Sequence, residues 1–359
     1  MIEVLKHNRI QFLLIATGLV FLGACLEPFF FEVDENFKKS LVIDGIFTNS
    51  DEISHEVRIS RAAEFGIKVG EPELGASVSL SWSSGNATYD EVGDGLYILP
   101  ADVIGRSGET YQLRVTLSDG STYESQPQLM PESTTITDLS LSWEREIVEQ
   151  NTGVSRPEGV INLFVDSDIG DLNGPRPLIK WLVIEAFSFP EMFCGGLHQP
   201  KTCYKEFALS SRSFFLFDGN QTDESVIEDV LVGQKRELSN VEFSGLHYFS
   251  VIQQTVTPEA FSYYSRINDL VKQEGTVFDL PPAAISGNVY NVDNPDETVL
   301  GYFEISGATI ARISVLPSEF KSETGLNEPC NIFLRHRWIP ACCNCFNIEG
   351  VTTERPPYF

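Results

Sequence analysis

From residue 41 onward apolar and polar positions alternate over short stretches, the pattern of strands with one buried face. Leu41-Val42-Ile43 starts the first strand, and Val57 and Ile59 mark the second. Ser77–Trp82 puts Val78, Leu80 and Trp82 on one face, ahead of a turn at Ser84-Gly85-Asn86. Gly93-Asp94-Gly95 turns into Leu96-Tyr97-Ile98. Tyr111, Leu113, Val115 and Leu117 alternate up to Asp119-Gly120, a strong hairpin signal, and Thr122-Tyr123 begins the return. Short strands separated by turn residues predict a mainly β chain that opens with an Ig-like β-sandwich over residues 39–132.

Residues 133–359 read as a larger β-rich domain. Ile136–Trp143, Val160–Val165, Trp181–Phe187, Phe214–Phe217 and Leu246–Gln254 are strand candidates, as are Val289, Val299–Phe303 and Thr309–Val315. Val226–Val232 reads as a strand or a short helix. One helix is expected, over about 258–274. Thr257 suits its N-cap and Pro258 its first turn, while Phe261, Tyr264, Ile267, Leu270 and Val271 repeat at helical spacing. Gly275 is a natural stop, and Pro281-Pro282 breaks the chain. Pro356-Pro357 rules out a terminal barrel strand, which needs about ten alternating residues.

The start of the chain follows another pattern. Phe12–Leu22 is an apolar run behind Lys6 and Arg9, closing on Leu22-Gly23-Ala24-Cys25. A basic segment, a short apolar segment and small residues before the cut make an export signal over residues 1–24. The run is roughly half of the ~20 residues a membrane-spanning helix needs. A cysteine directly after the small residues fits a bacterial lipobox, with Cys25 as the lipid-attachment residue. Each buried lipid methylene contributes about 0.8 kcal/mol, so several acyl chains hold a protein at its membrane. Leu26 follows where a common inner-membrane retention signal has Asp, which favours the outer membrane. Residues 25–38 are then an acylated tether.

Charge narrows the partners. Lys and Arg total 25 against 51 Asp and Glu, a net charge of −26. Such a body repels nucleic acid and anionic lipid, and leaves cationic partners open.

Beyond Cys25 stand Cys194, Cys203, Cys330, Cys342, Cys343 and Cys345, an even number that argues for disulfides in an exported chain. Cys194 and Cys203 bracket a short loop and are a plausible local staple. Cys330 then pairs with one of the last three. Cys342–Cys345 also contains a Cys-x-x-Cys, but the second knuckle of a zinc site is missing, and Phe346 stands where haem attachment needs His. Asp166–Gly174 has the composition of a calcium loop; its spacing fails the EF-hand template and reads as an acidic hairpin loop. His55, His198, His247 and His336 are scattered. No nucleophile elbow, phosphate loop or dinucleotide fingerprint is present, so no catalytic residue, metal ligand or cofactor is assigned beyond the covalent lipid on Cys25.

Taken in order, several stretches resemble the lipoprotein family catalogued as domain of unknown function 4249, from Bacteroidota. They are Leu41-Val42-Ile43-Asp44-Gly45, Pro72-Glu73-Leu74-Gly75-Ala76, Asp119–Ser125, Gly287-Asn288-Val289, Leu300-Gly301-Tyr302-Phe303 and the terminal cysteine cluster. The family often has a simpler Cys-x-Cys at that cluster, and Cys342 is the addition here. The resemblance implies no catalytic residues. It implies an accessory role beside an outer-membrane TonB-dependent receptor barrel. The expected function is a surface-exposed, non-enzymatic outer-membrane lipoprotein serving such a barrel complex; an exported hydrolase or a stand-alone adhesin is the alternative.

Overall fold

A computed structural model describes residues 40–63, 70–149, 155–171, 174–195, 199–209, 214–236, 238–273, 285–316, 330 and 340–359, with backbone alone at 148–149 and 155–158. The signal, Cys25 and the tether lie outside the described residues, as do Gly275, Pro281-Pro282, His198 and His336. The fold is mainly β, with several sheets and cysteine pairs near the C-terminus.

A nine-stranded sheet organises it. In spatial order its strands are β13 (Thr202–Ala208), β12 (Leu178–Pro190), β16 (His247–Val256), β18 (Phe303–Val315), β1 (Leu41–Thr48), β2 (Glu56–Arg61), β6 (Leu96–Ile98) and β5 (Asp90–Gly93), with β14 (Phe215–Asp218) also on β12. The pairing of β1 with β18 is parallel and joins residues more than 250 apart in sequence, as at Gly45 and Phe303. Gly45 is required there: a Cβ would stand 2.7 Å from the Glu56 carbonyl and 2.9 Å from Val57 Cγ2. Gly301, at φ +83°, lays the chain beside β1, and a Cβ on it would meet the Ile43 carbonyl at 2.3 Å. The Ile43 N–H donates to the Leu300 carbonyl at 2.9 Å, and the Leu300 N–H to that of Leu41 at 2.8 Å.

A second sheet orders β17 (Val289–Asn291), β8 (Thr122–Ser125), β7 (Thr110–Thr116), β3 (Ser77–Trp82) and β4 (Gly85–Thr88), with β9 (Gln128–Leu129) on β7. It faces β1, β2 and β6. Leu41, Ile43, Phe47, Val57 and Ile59 meet Val78, Leu80, Leu113 and Val115 in one core. This is the sandwich expected of residues 39–132, but the chain returns to complete it. Val289 and Val299, with Phe303 and Ile305, belong to the same core. The central sheet thus runs across residue 132, and Ser40–Phe359 form one compact unit.

The third sheet, β10 (Thr135–Glu149), β11 (Ser155–Asp168) and β15 (Val226–Lys235), packs on the other half of the central sheet. Ile161, Leu163 and Val165 lie against Ile179, Trp181, Val183, Phe249 and Val251. Val226–Val232 is therefore strand. The acidic segment after Asp166 is not a hairpin loop, because β11 and β12 belong to different sheets. Its carboxylates serve the backbone: Asp168 Oδ1 accepts from the Gly170 N–H at 2.9 Å and Asp166 Oδ1 from the Asp229 N–H at 2.8 Å.

Helix α1 (Pro258–Gln273) covers the opposite face of β12 and β16. Thr257 caps it, its Oγ1 accepting from the Ala260 N–H at 3.2 Å. Its Ala260, Tyr263 and Tyr264 pack with Val256 and Tyr302. Strand β12, covered on both faces, is buried at nine of its thirteen positions.

Candidate functional site

Strand alternation puts Glu185 on the face of β12 that also carries Trp181 and Val183, turned toward the third sheet. An ionised side chain with no access to solvent needs partners, and they arrive from three other segments. Lys235, the last residue of β15, brings Nζ to 3.0 Å from Glu185 Oε1. The same Nζ is 3.0 Å from Oε2 of Glu242, in the loop before β16. His247 opens β16 directly opposite Phe187, diagonal to Glu185, and its Nε2 lies 3.1 Å from Glu185 Oε1. The other ring nitrogen, Nδ1, faces the Glu242 carbonyl at 3.0 Å. Phe243 stacks flat on the imidazole with centroids 4.2 Å apart, and Phe249 tilts beside it at 4.8 Å. Glu185 and His247 are sealed, while Glu242 keeps 21% of its side chain exposed.

That exposed part of Glu242 opens on a cleft of about 570 Å³. The body side of the cleft is Phe187, Val241, Glu242 and Lys205; the other side is Ala341 and Ile348, from the C-terminal segment. Residues 340–359 form a strap across the β12–β13 end of the central sheet. The strap is held by all three disulfides: Cys194–Cys343, Cys203–Cys345 and Cys330–Cys342, with Cα separations of 5.7, 6.1 and 5.4 Å. Phe187, Phe189, Cys203, Ala341 and Cys345 make a small core beneath it.

Glu191 fastens the strap further. Its Oε1 accepts from the Cys345 N–H at 2.8 Å, and Lys201 Nζ lies 3.1 Å away. Burial works against its charged form, but the Cys345 and Lys201 donors win and hold its carboxyl below the ordinary range. Tyr204 and Thr352 exchange backbone bonds of 2.8 Å each way. Phe359 then packs on Tyr204 and Tyr248, at 5.2 and 4.8 Å between centroids, and Tyr358 hydrogen-bonds Glu206.

The structure thus pairs all six cysteines, but the expected Cys194–Cys203 staple is not formed. Cys203 sits opposite Phe189 on β13 with its side chain inward, whereas Cys194 is exposed in the loop beyond β12. Each reaches a different residue of the strap. Cys330 does join one of the last three. With every described cysteine in a disulfide, no thiolate is left for a metal, and among the described residues no group of three His, Cys, Asp or Glu side chains is arranged to hold one.

The sequence pattern singled out none of Glu185, Lys235 and Glu242, and left His247 among the scattered histidines. One signal was available: Glu185 interrupts the otherwise apolar Trp181–Phe187 run, and a charge inside a doubly covered strand must find a counter-charge. A second buried pair, Lys180 and Glu304, lies on the helix side of the sheet. Gln254 Nε2 donates to Glu304 Oε1 at 2.6 Å, and the Lys180 ammonium stands 4.1 Å above the Tyr264 ring. Helix α1 closes that cluster from solvent.

Residues 26–312 match the family described as "Domain of unknown function (DUF4249)". The chain belongs to that family. The DUF4249 match covers the sandwich, the charged cluster and helix α1, and ends before the strap cysteines 330–345. Among solved structures, one described as "Biofilm associated protein - BSP domain" aligns at 7% identity and a TM-score of 0.18, over 85% of this chain and 65% of that one. The DUF4249 chain thus spans about two thirds of that structure, at a likeness too low to carry an argument. No curated protein matches the chain.

Proposed function

We propose that this DUF4249 protein is an outer-membrane lipoprotein held by acyl chains on Cys25 and facing the exterior, where it serves as a non-enzymatic accessory or binding subunit of a TonB-dependent transporter or another barrel complex. The observation that carries this reading is the apolar run Phe12–Leu22 ending at Leu22-Gly23-Ala24-Cys25. Three disulfides in one β-rich unit support it, because such cross-links persist in oxidising compartments. The cleft supports binding over catalysis: its carboxylate is already engaged by Lys235 rather than aimed beside a nucleophile. Among the described residues no helix is long and apolar enough to cross a membrane.

Two experiments test the reading. Cys25→Ser releases the protein from the outer-membrane fraction or stalls its processing; unchanged lipid labelling overturns the anchor. Affinity purification from detergent-solubilised membranes recovers a barrel protein with it; repeated recovery alone overturns the accessory role.

A further inference from the structure

We propose that the Cys194–Cys343 bond is a thiol-exchange site: an external dithiol opens this one disulfide, frees the turn between β12 and β13 from the strap, and leaves the strap itself in place. This goes beyond the role given above and holds with or without a barrel partner.

The three disulfides differ in what covers them. Cys203, Cys342 and Cys345 are fully sealed from solvent. Cys203 and Cys345 are partners of one another, within the small core that holds Phe187 and Phe189. Cys330–Cys342 joins a half-buried residue to a sealed one. Cys194–Cys343 alone has no sealed end: Cys194 is exposed and Cys343 half-buried. Phe193 and Gly195, on either side of Cys194, are exposed too, as is Asn344 after Cys343. Exchange needs a thiolate to reach a sulfur, so exposed disulfides are the labile ones. A sealed one reacts only when the fold opens around it.

The fold near this bond is fastened without it. Cys203–Cys345 ties the strap to β13, the Cys345 N–H donates to Glu191 Oε1 at 2.8 Å, and Tyr204 and Thr352 exchange backbone bonds. The turn is closed at its base by the Glu191 N–H, which donates to the Lys201 carbonyl at 2.9 Å. Opening Cys194–Cys343 therefore frees the tip of the turn and loosens Cys343, while the strap stays on the sheet. Cys343 is two residues beyond Ala341, a wall of the cleft, so the exchange acts at the cleft rim.

The step balances as follows. One thiolate of the dithiol attacks Sγ of Cys194, the more exposed end. The S–S bond breaks, and Cys343 leaves as a thiolate that takes a proton from water. The second thiolate of the reagent attacks the reagent sulfur of the mixed disulfide. The reagent closes into a cyclic disulfide and Cys194 is released as a thiol. Two electrons pass from the dithiol to the protein.

The test is timed reduction of the folded full chain in detergent with dithiothreitol at about pH 8, where thiolate is plentiful, followed by alkylation and peptide mapping. Cys194 and Cys343 should be labelled together, about tenfold or more ahead of the other four cysteines. The Cys203–Cys345 peptide and the near-UV circular dichroism should persist through this fast phase. With 2-mercaptoethanol in place of the dithiol, the trapped adduct should sit on Cys194 and the alkyl label on Cys343. Cys194→Ser with Cys343→Ser should lose the fast phase alone; if that variant fails to fold, the peptide map of the natural protein decides. The proposal is overturned if another pair is labelled first, if all six appear together, or if near-UV signal is lost in step with the fast phase. An adduct on Cys343, or a fast phase that survives in the folded double variant, overturns it as well. None of these outcomes bears on recovery of a barrel partner, so the two readings fail separately.

Discussion

Glu185 and His247 stand 3.1 Å apart with neither side chain reaching solvent. Four segments of chain meet at that contact, and Lys235 links it to Glu242 at the edge of the cleft. A cluster of this kind contributes little net stability when whole and costs much when one member is removed.

Lys235→Met therefore leaves Glu185 buried without its cation and should lower unfolding stability by about 3–5 kcal/mol. Adding Glu185→Leu to it should recover much of the loss, since an apolar pair of similar size replaces the ion pair. Urea unfolding with the disulfides intact measures both. A single-variant loss below about 1 kcal/mol, the range of exposed ion pairs, would mean the cluster is more open to water than its geometry indicates.

The disulfide pairing is checked directly. Proteolysis without reduction, followed by mass spectrometry, should give peptides linking Cys194 to Cys343, Cys203 to Cys345 and Cys330 to Cys342. Neighbouring cysteines must be separated by fragmentation or by cleavage between them. The first two bonds close loops spanning 149 and 142 positions in sequence. Cys203→Ser with Cys345→Ser should then lower stability by about 2–5 kcal/mol. A Cys194–Cys203 peptide would refute the strap geometry.

Acid should loosen the strap through Glu191. Its folded pKa lies below the ordinary 4.5, so its unfolded form takes up a proton first as pH falls. Its contribution is complete above about pH 4.5 and is lost as pH drops through the lower folded value. Stability of the natural protein should fall more steeply below pH 4.5 than that of Glu191→Gln, measured by unfolding at pH 6 and pH 3. Parallel curves would remove Glu191 from the acid response.

Gly301→Ala tests the parallel junction. The new Cβ meets the Ile43 carbonyl at 2.3 Å and the residue sits at φ +83°, so both sterics and backbone oppose it. A destabilisation of about 1–3 kcal/mol is expected from the backbone conformation alone, with the clash added to it. An unchanged melting temperature would show that β1 and β18 are not held in this register.

Three of the stretches that carried the family resemblance turn out to be neighbours. Leu41–Gly45 and Leu300–Phe303 lie side by side at the parallel junction. Asn288 clamps the same place, its Nδ2 donating to the Phe303 carbonyl at 2.8 Å and its Oδ1 accepting from the Phe303 N–H at 2.9 Å. Gly287 passes so close to Gly301 that a Cβ would overlap its carbonyl. These residues specify how two distant parts of the chain close one sandwich, a structural duty that each motif read singly does not reveal.

Local chemistry made much of the fold legible. Ser77–Trp82 forms over the expected residues because its apolar side chains alternate with serines, and Asp119-Gly120 turns the chain with Gly120 at φ +92°. Thr257 and Pro258 start the helix where capping chemistry places them. By itself the sequence also determined that the six cysteines beyond the first would join in disulfides, and it is the whole basis for reading Cys25 as an anchor. Only the tertiary structure decided which cysteines meet, that residues 289–305 return to complete the first sandwich, and that Glu185, Lys235, Glu242 and His247 gather beside a cleft. Those depend on sheet order and on contacts between segments far apart in the chain. Alternation and capping act over a few residues and carry no information about which strand lies next to which.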